Sequence, residues 1–337
     1  MLQTLKPVLA GSICATTLMY AGAAAAVSSA ELYTSESYRY GRYEARLQFA
    51  PADGVVSSFF LWKDGSELDD EYWGELDTEK VGPCAYSSNA IYGLPEKHAT
   101  EKITTSADLC GEYHTYAFEW TPESIVWLLD GEEVRRLEGT VAEEFATNVV
   151  EGMQIRFNVW PGNANFGGNF SESSLPVHQF INWVAYHEYT PGAGDDGGDF
   201  TLAWREDFEE DRLPSGWFTG SWASPFSLST HVSQNVNFVD GTAILSLTAD
   251  DARGFSGTVP VDPGGSGASG GSGGTSGGSG ATGGAGGTSA APDASKDDDS
   301  GCSVRSAPPD QGPKSALLLS LAAGLAVGWY RRRRSPR

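Results

Sequence analysis

Basic residues are scarce in this chain. Its 337 residues include 22 Lys and Arg against 44 Asp and Glu, which gives a formal net charge of −22. Nucleic acids and anionic lipid surfaces bind basic proteins, because their phosphates attract Lys and Arg. The charge balance therefore argues against both as partners of the folded part, and it is compatible with a neutral polysaccharide.

Metal-binding patterns and long helices are also missing. The five His residues show no ligand spacing such as HExxH, which argues against a catalytic metal. Long stretches with the 3.6-residue apolar period of an amphipathic helix are scarce, which argues against a helical fold.

The N-terminal segment is predicted to be removed. Residues 1–26 carry Lys6, an apolar stretch and a closing run of small residues, which is typical of a secretory signal peptide. A transmembrane anchor is the alternative. Gly, Ser and Thr dilute the apolar run, so the signal peptide is favoured.

The C-terminal part is predicted to lie outside the folded domain. Residues 262–301 are mostly Gly, Ser, Ala and Thr and cannot bury enough apolar surface to fold. We expect a flexible linker with a reach of roughly 35 Å. Residues 302–337 contain Cys302, a short apolar run and Arg331–Arg334. This order resembles a bacterial surface-sorting tail of the MYXO-CTERM class, and a plain C-terminal membrane anchor is the alternative.

These assignments leave residues 27–261 as one folded domain of an exported protein, either held at the cell surface or secreted after tail processing. Any membrane contact would then come only through the tail. Cys84 and Cys110 are the cysteines within the domain. In an exported protein they are expected to form a disulfide worth about 3 kcal/mol, with two buried free thiols as the alternative.

Short alternating segments dominate the predicted domain. Residues 43–49 and 155–160 alternate between apolar and polar side chains, and Asp130-Gly131 and Asp240-Gly241 are hairpin-turn signals. The pattern predicts an all-β fold: an antiparallel sandwich of the jelly-roll type, with one face bent into a cleft.

The run from Glu75 to Glu79 is the strongest chemical signal. Glu75, Asp77 and Glu79 stand at i, i+2 and i+4, so on a strand they share one face, while Leu76 and Thr78 point to the core. Each charge raises the cost of ionising the others. Glycoside hydrolysis needs one charged and one protonated carboxyl group. A solvated acidic edge strand is the alternative.

Aromatic residues make up 11% of the chain, including ten Trp. Trp62, Trp160 and Trp222 stand beside polar, Gly-rich turns. Near an acidic cleft, such rings suit the apolar face of a sugar, with polar neighbours for the hydroxyl groups. Core packing is the alternative for each of them.

Five segments in order resemble glycoside hydrolase family 16. Residues 73–79 fit its E-x-D-x-E catalytic strand, and residues 113–122 resemble its H-x-Y-x-x-x-W segment. Residues 125–131, 157–160 and 182–183 resemble further blocks. The resemblance implies a concanavalin A-like jelly roll and a glycoside hydrolase that needs no catalytic cofactor.

The order of the segments is similar to that of the circularly permuted bacterial lichenases, which are endo-1,3-1,4-β-glucanases. The strand pair at residues 235–247 follows the catalytic strand here, whereas it precedes that strand in conventional members. The three acids follow one another at strict two-residue steps, without the extra residue of a β-bulge. This spacing resembles that of lichenases rather than that of most laminarinases. We therefore expect hydrolysis of β-1,4 linkages in mixed-linkage β-1,3-1,4-glucan, by a monomer.

The resemblance also implies roles for particular residues. Glu75 would be the nucleophile and Glu79 the general acid and then base, with Asp77 holding Glu75 in place. The implied sugar-binding residues are Phe60, Trp62, Asp64, Glu67, Asn89, Arg156, Asn158, Trp160 and Trp222. Asn182, Asp207 and the carbonyl of Gly241 would hold a structural Ca²⁺. Phe60 as a core residue and Arg156 as the partner of a cleft acid are the plainer alternatives.

Four positions depart from the lichenase pattern: Asp64, Thr78, Ser87 and Phe166. These departures would change how strongly the individual sugar subsites bind and which linkage the enzyme prefers. The competing functions are an endo-β-1,3-glucanase (laminarinase), a glucan transglycosylase and a non-catalytic surface glucan-binding protein.

Overall fold

The computed structural model describes residues 27–264. The predicted signal peptide, the sorting tail and all but the first three residues of the predicted linker lie outside this range. Within it the chain forms one α-helix, α1 (Thr140–Asn148), four single-turn 3-10 helices and the strands β1 (Val27–Thr34), β2 (Gly41–Gln48), β3 (Val55–Trp62), β4 (Trp73–Val81), β5 (Ala85–Gly93), β6 (Lys97–Ile103), β7 (His114–Trp120), β8 (Ser124–Leu129), β9 (Glu132–Glu138), β10 (Gln154–Pro161), β11 (Val177–Tyr189), β12 (Phe200–Glu206), β13 (Trp217–Thr219), β14 (Thr230–His231), β15 (Val236–Val239) and β16 (Thr242–Ala249).

The local signals in the sequence produce the expected strands and turns. In β2, buried and partly exposed side chains alternate along the whole strand. Asp130 and Gly131 both have positive φ, and so do Asp240 and Gly241. This backbone geometry matches the twist of a two-residue hairpin. The predicted turns thus join β8 to β9 and β15 to β16.

The strands form two packed layers. The hydrogen-bonded order is β6-β5-β4-β3-β10-β1-β16-β11-β2-β7-β8-β9. We call β6, β5, β4, β3, β10, β1 and β13 the front layer, and β16, β11, β2, β7, β8 and β9 the back layer. Phe59 of β3 packs on Phe118 of β7 with ring centroids 5.0 Å apart. The side chain of Gln179 in β11 donates to the carbonyl of Ser58 in β3 at 3.1 Å. The predicted all-β jelly-roll sandwich is confirmed.

A disulfide and a helix add contacts to the sandwich. Cys84 and Cys110 are disulfide-bonded, with their Cα atoms 6.3 Å apart, and tie the β4–β5 turn to the segment before β7. Helix α1 buries Ala142 and Phe145, and the ring of Phe145 lies 6.1 Å from that of Tyr92 in β5. Within residues 27–264, no helix has the length and apolar character needed to cross a bilayer.

The first and last strands of the domain are neighbours. Val27 at the start of β1 lies opposite Ala249 at the end of β16. Ends that meet in this way are the geometry that a circular permutation requires. The permutation itself stays a prediction.

The residues after β16 continue to pack on the domain. We call residues 250–264 the C-terminal strap. Phe255 and Val259 pack against a buried cluster on the back layer. Both oxygens of Asp262 accept hydrogen bonds from Arg46 at 2.6 Å. Asp262, which the sequence analysis assigned to the linker, is therefore held by the folded domain.

Candidate active site

Strand β4 presents its carboxylates on the outer face of the front layer. Leu76 is fully buried in the core, and the hydroxyl of Thr78 lies 3.3 Å from that of Tyr86 between the layers. The alternation of the strand therefore turns Glu75, Asp77 and Glu79 to the opposite face. We call this outer face of β4 and of the neighbouring strands β5, β3, β10 and β1 the groove, after the predicted cleft. The sequence predicted this division of β4.

The strands on both sides of β4 supply the neighbours of the acids. Residues directly opposite one another in an antiparallel pair share a face. On β3, Trp62 lies opposite Glu75, Phe60 opposite Asp77 and Ser58 opposite Glu79. On β5 the corresponding partners are Ile91, Asn89 and Ser87.

Each acid has a different set of hydrogen bonds. The indole N–H of Trp73 donates to Glu75 Oε2 at 2.7 Å. Asp77 is hydrogen-bonded to Glu75, and this bond lowers the pKa of Glu75 while it raises that of Asp77. Asp77 is therefore the proton donor of the pair. Glu79 accepts a hydrogen bond from the hydroxyl of Ser58 at 3.4 Å.

Burial raises the pKa values of all three acids. Desolvation brings the pKa of Glu75 to about 7, although its hydrogen bonds and Arg156 oppose the rise. Desolvation and the charge of Glu75 bring the pKa of Glu79 to about 8. The pKa of Asp77 lies well above its usual range, through burial and its two acidic neighbours. Near neutral pH the site can thus hold an ionised Glu75 beside a protonated Glu79.

Arg156 organises the neighbouring part of the face. Its Nη1 donates to Glu31 Oε1 and its Nε to Gln154 Oε1, both at 3.0 Å. The guanidinium lies over the ring of Tyr33 at 4.7 Å and that of Trp62 at 5.4 Å. Arg156 thus pairs with an acid of the groove, Glu31, which the sequence analysis did not name.

Glu31 is a further functional candidate. It is 4% exposed and accepts a hydrogen bond from the indole N–H of Trp222 at 3.2 Å. His231 Nε2 lies 3.4 Å from the same carboxylate oxygen. Burial lowers the pKa of His231 to about 3, so His231 is neutral. Glu31 and Tyr33 lie opposite Asn158 and Arg156 in the sheet, but the sequence shows only an unremarkable alternating strand there.

The other predicted sugar-binding residues lie on or beside the same face. Asn89 accepts a hydrogen bond from Thr100 at 2.9 Å. The side-chain oxygen of Asn158 is buried without a hydrogen-bond partner among the described residues, which suits it to receive a hydroxyl group. Asp64 and Glu67 lie on the loop between β3 and β4, beyond Trp62.

Phe60 and Trp160 are more covered than expected of sugar platforms. Phe60 is 6% exposed, although it stands opposite Asp77 on the groove face. Trp160 is 4% exposed and stacks on Phe166 at a centroid distance of 6.0 Å. Little of either ring is therefore available to a ligand.

The predicted calcium ligands are partly committed to other partners. Arg205 Nε donates to the carboxylate of Asp207 at 2.8 Å. The amide nitrogen of Asn182 donates to Asp262 at 3.1 Å. The main chain of Asp207 lies beside Gly241, since a Cβ on Gly241 would be 3.7 Å from the Asp207 carbonyl oxygen. The oxygen donors suit calcium, but the Arg205 charge beside them opposes a cation.

Comparison with known proteins adds independent information. The sequence model of the family described as "Glycosyl hydrolases family 16" matches residues 14–184. A beta-glucanase of Fibrobacter succinogenes is 40% identical over 267 residues, which cover 76% of this chain and 74% of that protein. A beta-glucanase of Brevibacillus brevis is 30% identical over 164 residues, which cover 46% of this chain and 59% of that protein.

Among solved structures, a prokaryotic beta-1,3-1,4-glucanase (lichenase) from a mouse hindgut metagenome aligns with 25% identity and a TM-score of 0.39. The alignment covers 48% of this chain and 79% of that chain. The sequence matches fix the family: this chain belongs to glycosyl hydrolase family 16 and is a glycoside hydrolase.

Proposed function

We propose that this protein is a retaining endo-β-glucanase that cleaves β-1,4 linkages in mixed-linkage β-1,3-1,4-glucan. The observation that carries the proposal is the placement of Glu75, Asp77 and Glu79 on one face of β4. Burial holds protons on part of this set near neutral pH. Relatives of the chain that are named beta-glucanase support the substrate class.

In the first step Glu75 attacks the anomeric carbon of the sugar at the cleavage point. The glycosidic C–O bond breaks as Glu79 donates its proton to the leaving oxygen, and a glycosyl ester forms on Glu75. A retaining mechanism needs the two carboxyl groups about 5–5.5 Å apart. Their Cα atoms are separated by roughly 13 Å on an extended strand, so the side chains must converge over Asp77.

In the second step Glu79, now ionised, takes a proton from water as the water attacks the same carbon. The ester bond to Glu75 breaks, and the product leaves with its original anomeric configuration. Asp77 donates a hydrogen bond to Glu75, which orients the nucleophile and keeps it ionised at lower pH.

The register of β4 supports the mixed-linkage substrate. Glu75 through Glu79 pair with both neighbouring strands without a register shift. An extra residue before the last acid would appear as a bulge and would re-aim Glu79. The unbulged form is the one that resembles lichenases.

The groove face offers partners for the hydroxyl groups and rings of a glucan. Trp62 and Trp222 flank Arg156, with guanidinium-to-ring distances of 5.4 and 6.0 Å. Asn158 and Asn89 add amide groups at its floor. We propose that these residues bind sugars on both sides of the cleavage point.

Export is part of the proposal. A disulfide forms and persists mainly in oxidising compartments outside the cytoplasm, so the Cys84–Cys110 bond supports an exported protein. Retention at the cell surface by the tail, and action as a monomer, complete the proposal.

The deciding experiment is chromatography of the oligosaccharides released from barley β-glucan, lichenan and laminarin, with the anomeric form of the first products followed by NMR. We expect β-anomers, release from the two mixed-linkage glucans and little from laminarin. Glu75→Gln and Glu79→Gln should each lower kcat by at least about 10²-fold while the protein stays folded. Preferred cleavage of laminarin, joining of glucans instead of hydrolysis, or binding without release of reducing sugar would each overturn the proposal.

A further inference from the structure

An exposed aromatic side chain stands at the end of the groove face. In β13, Trp217 is 6% exposed and stacks near Phe157 in the core, with centroids 6.4 Å apart. Because side chains alternate along a strand, Phe218 points to the other side of the layer. It is 50% exposed, and an exposed ring points to a binding site where it forms a patch with other rings.

Phe218 belongs to the same cross-strand row as the catalytic carboxylates. It lies opposite Tyr33, which lies opposite Arg156. Arg156 lies opposite Phe60, and Phe60 lies opposite Asp77. Four strand intervals of roughly 4.8 Å place Phe218 about 19 Å from Asp77 along the face. This is a distance of several sugar units.

The row ends in a continuous aromatic patch. The ring of Tyr33 lies 5.9 Å from that of Phe218, with an angle of 30° between the planes. It also lies 5.6 Å from the ring of Trp222. The nearby charge of Arg156 is already paired with Glu31. Arg156 covers part of the Tyr33 ring, at 4.7 Å from its centroid, so Phe218, the most exposed of the three rings, offers most of the apolar surface of the patch.

We propose that Phe218 and Tyr33 form a distal binding platform for a glucosyl unit of the same β-glucan chain that occupies the groove. The inference rests on the proposed function. The apolar C–H face of a neutral pyranose suits these rings, and the unbroken row from Asp77 shows how one polymer chain reaches them. The platform would add affinity only for substrates long enough to span the row.

The test measures kcat/KM of the full-length exported protein on mixed-linkage β-glucan oligosaccharides of increasing length. Phe218→Ala should lower kcat/KM about three- to tenfold for the longest oligosaccharides and leave the shortest unchanged. Phe218→Tyr, which keeps the ring, should restore the wild-type length dependence. Leu202→Ala is the matched control, because Leu202 is 48% exposed on β12, which pairs with the back layer.

Two outcomes would overturn the platform: equal loss of kcat/KM at every length, or no loss at any length. Native electrophoresis in gels that contain barley β-glucan gives a readout independent of catalysis. In these gels the Phe218→Ala variant should be retarded less than the wild type and the Leu202→Ala control. Equal retardation of all three proteins would count against the platform. Wild-type protein that is retarded by the polymer but hydrolyses no oligosaccharide would defeat the proposed function and leave the platform in place.

Discussion

Glu75 and Glu79 carry the same carboxyl group in different surroundings. Glu75 accepts hydrogen bonds from Trp73 and Asp77, and Arg156 lies near enough to lower its pKa further. Glu79 has the hydroxyl of Ser58 as its hydrogen-bond donor, at 3.4 Å. Better stabilisation of the charged form at Glu75 explains why Glu79 keeps its proton to higher pH. The division of roles that we propose for Glu75 and Glu79 therefore rests on the neighbours of each acid.

The Ser58 hydroxyl should tune the alkaline limit of activity. A donor to Glu79 favours its charged form, so Ser58→Ala removes that support and raises the pKa of Glu79 further above about 8. We expect the alkaline limb of the kcat/KM profile to move to higher pH, while the acid limb stays in place. Ser87→Ala is the control, since Ser87 flanks Glu79 from the other strand. An unmoved alkaline limb, or an equal shift in both variants, would contradict this role for Ser58.

Burial of Glu79 should cost folding stability at neutral and alkaline pH. Its folded-state pKa of about 8 lies above the ordinary value of 4.5. Below about pH 4.5 Glu79 is protonated in both the folded and the unfolded state, so its burial as an acid does not change the free energy of unfolding with pH. As pH rises from there to about 8, the unfolded state ionises first and stability falls.

Glu79→Gln removes this cost. We expect the Tm difference between variant and wild type to grow from pH 5 to pH 8, by roughly 2–4 °C for each kcal/mol regained. Glu132→Gln, at an exposed position of β9, is the control. A difference that stays constant with pH would show that Glu79 is not held in the state inferred here.

Strand β4 is held in place from three directions. It pairs with β3 and β5 along most of its length. From the back layer, the indole N–H of Trp127 donates to the carbonyl of Asp77 at 2.9 Å. Strand β4 therefore cannot shift without breaking these bonds, which keeps its three carboxyl groups in register.

The C-terminal strap should stabilise the domain without affecting the groove. Asp262 is 3% exposed and its partner Arg46 15% exposed, so Asp262→Ala leaves a largely buried cation unpaired. We expect a loss of roughly 2–4 kcal/mol in the free energy of unfolding, measured by urea denaturation, with kcat/KM unchanged.

The Arg46→Ala/Asp262→Ala double variant should lose less than the two single variants together, because the pair is removed as a unit. Asp251→Ala, at an exposed position in the same strap, should have little effect. Full stability of Asp262→Ala would mean that the strap adds nothing to the domain.

At the scale of the whole molecule, the predicted calcium site would join three distant segments of the back layer. Asn182 is on β11, Asp207 follows β12 and Gly241 is in the β15–β16 turn. If calcium binds there, EDTA should lower the Tm and added Ca²⁺ should restore it. At a Ca²⁺ concentration of 100 times Kd, binding should add about 2.7 kcal/mol to the free energy of unfolding. Arg205→Ala should enlarge the calcium effect, because it frees the Asp207 carboxylate. An EDTA-independent Tm in both proteins would rule the site out.

Sequence reasoning predicted the fold and the shared face of Glu75, Asp77 and Glu79, but only part of the groove. Strand alternation and hairpin turns are local properties, so β2 and the Asp130-Gly131 turn could be predicted from neighbouring residues. The sequence analysis missed Glu31 and Tyr33, although both lie in the groove. Their contacts are with Arg156 and Trp222, more than 100 residues away, and no local pattern specifies that pairing.

The amino-acid order by itself determined which side of β4 carries the three acids, because a two-residue period puts Glu75, Asp77 and Glu79 together on any strand. Only the tertiary structure decided what surrounds them. The pairing of β13, β1, β10 and β3 brings positions 218, 33, 156 and 60 into one row. Side chains from the strands on both sides of β4 cover the acids on that face, and their burial removes the water that would otherwise keep all three acids ionised. Register between distant strands and the exclusion of solvent arise from the packed whole, so no stretch of residues contains them.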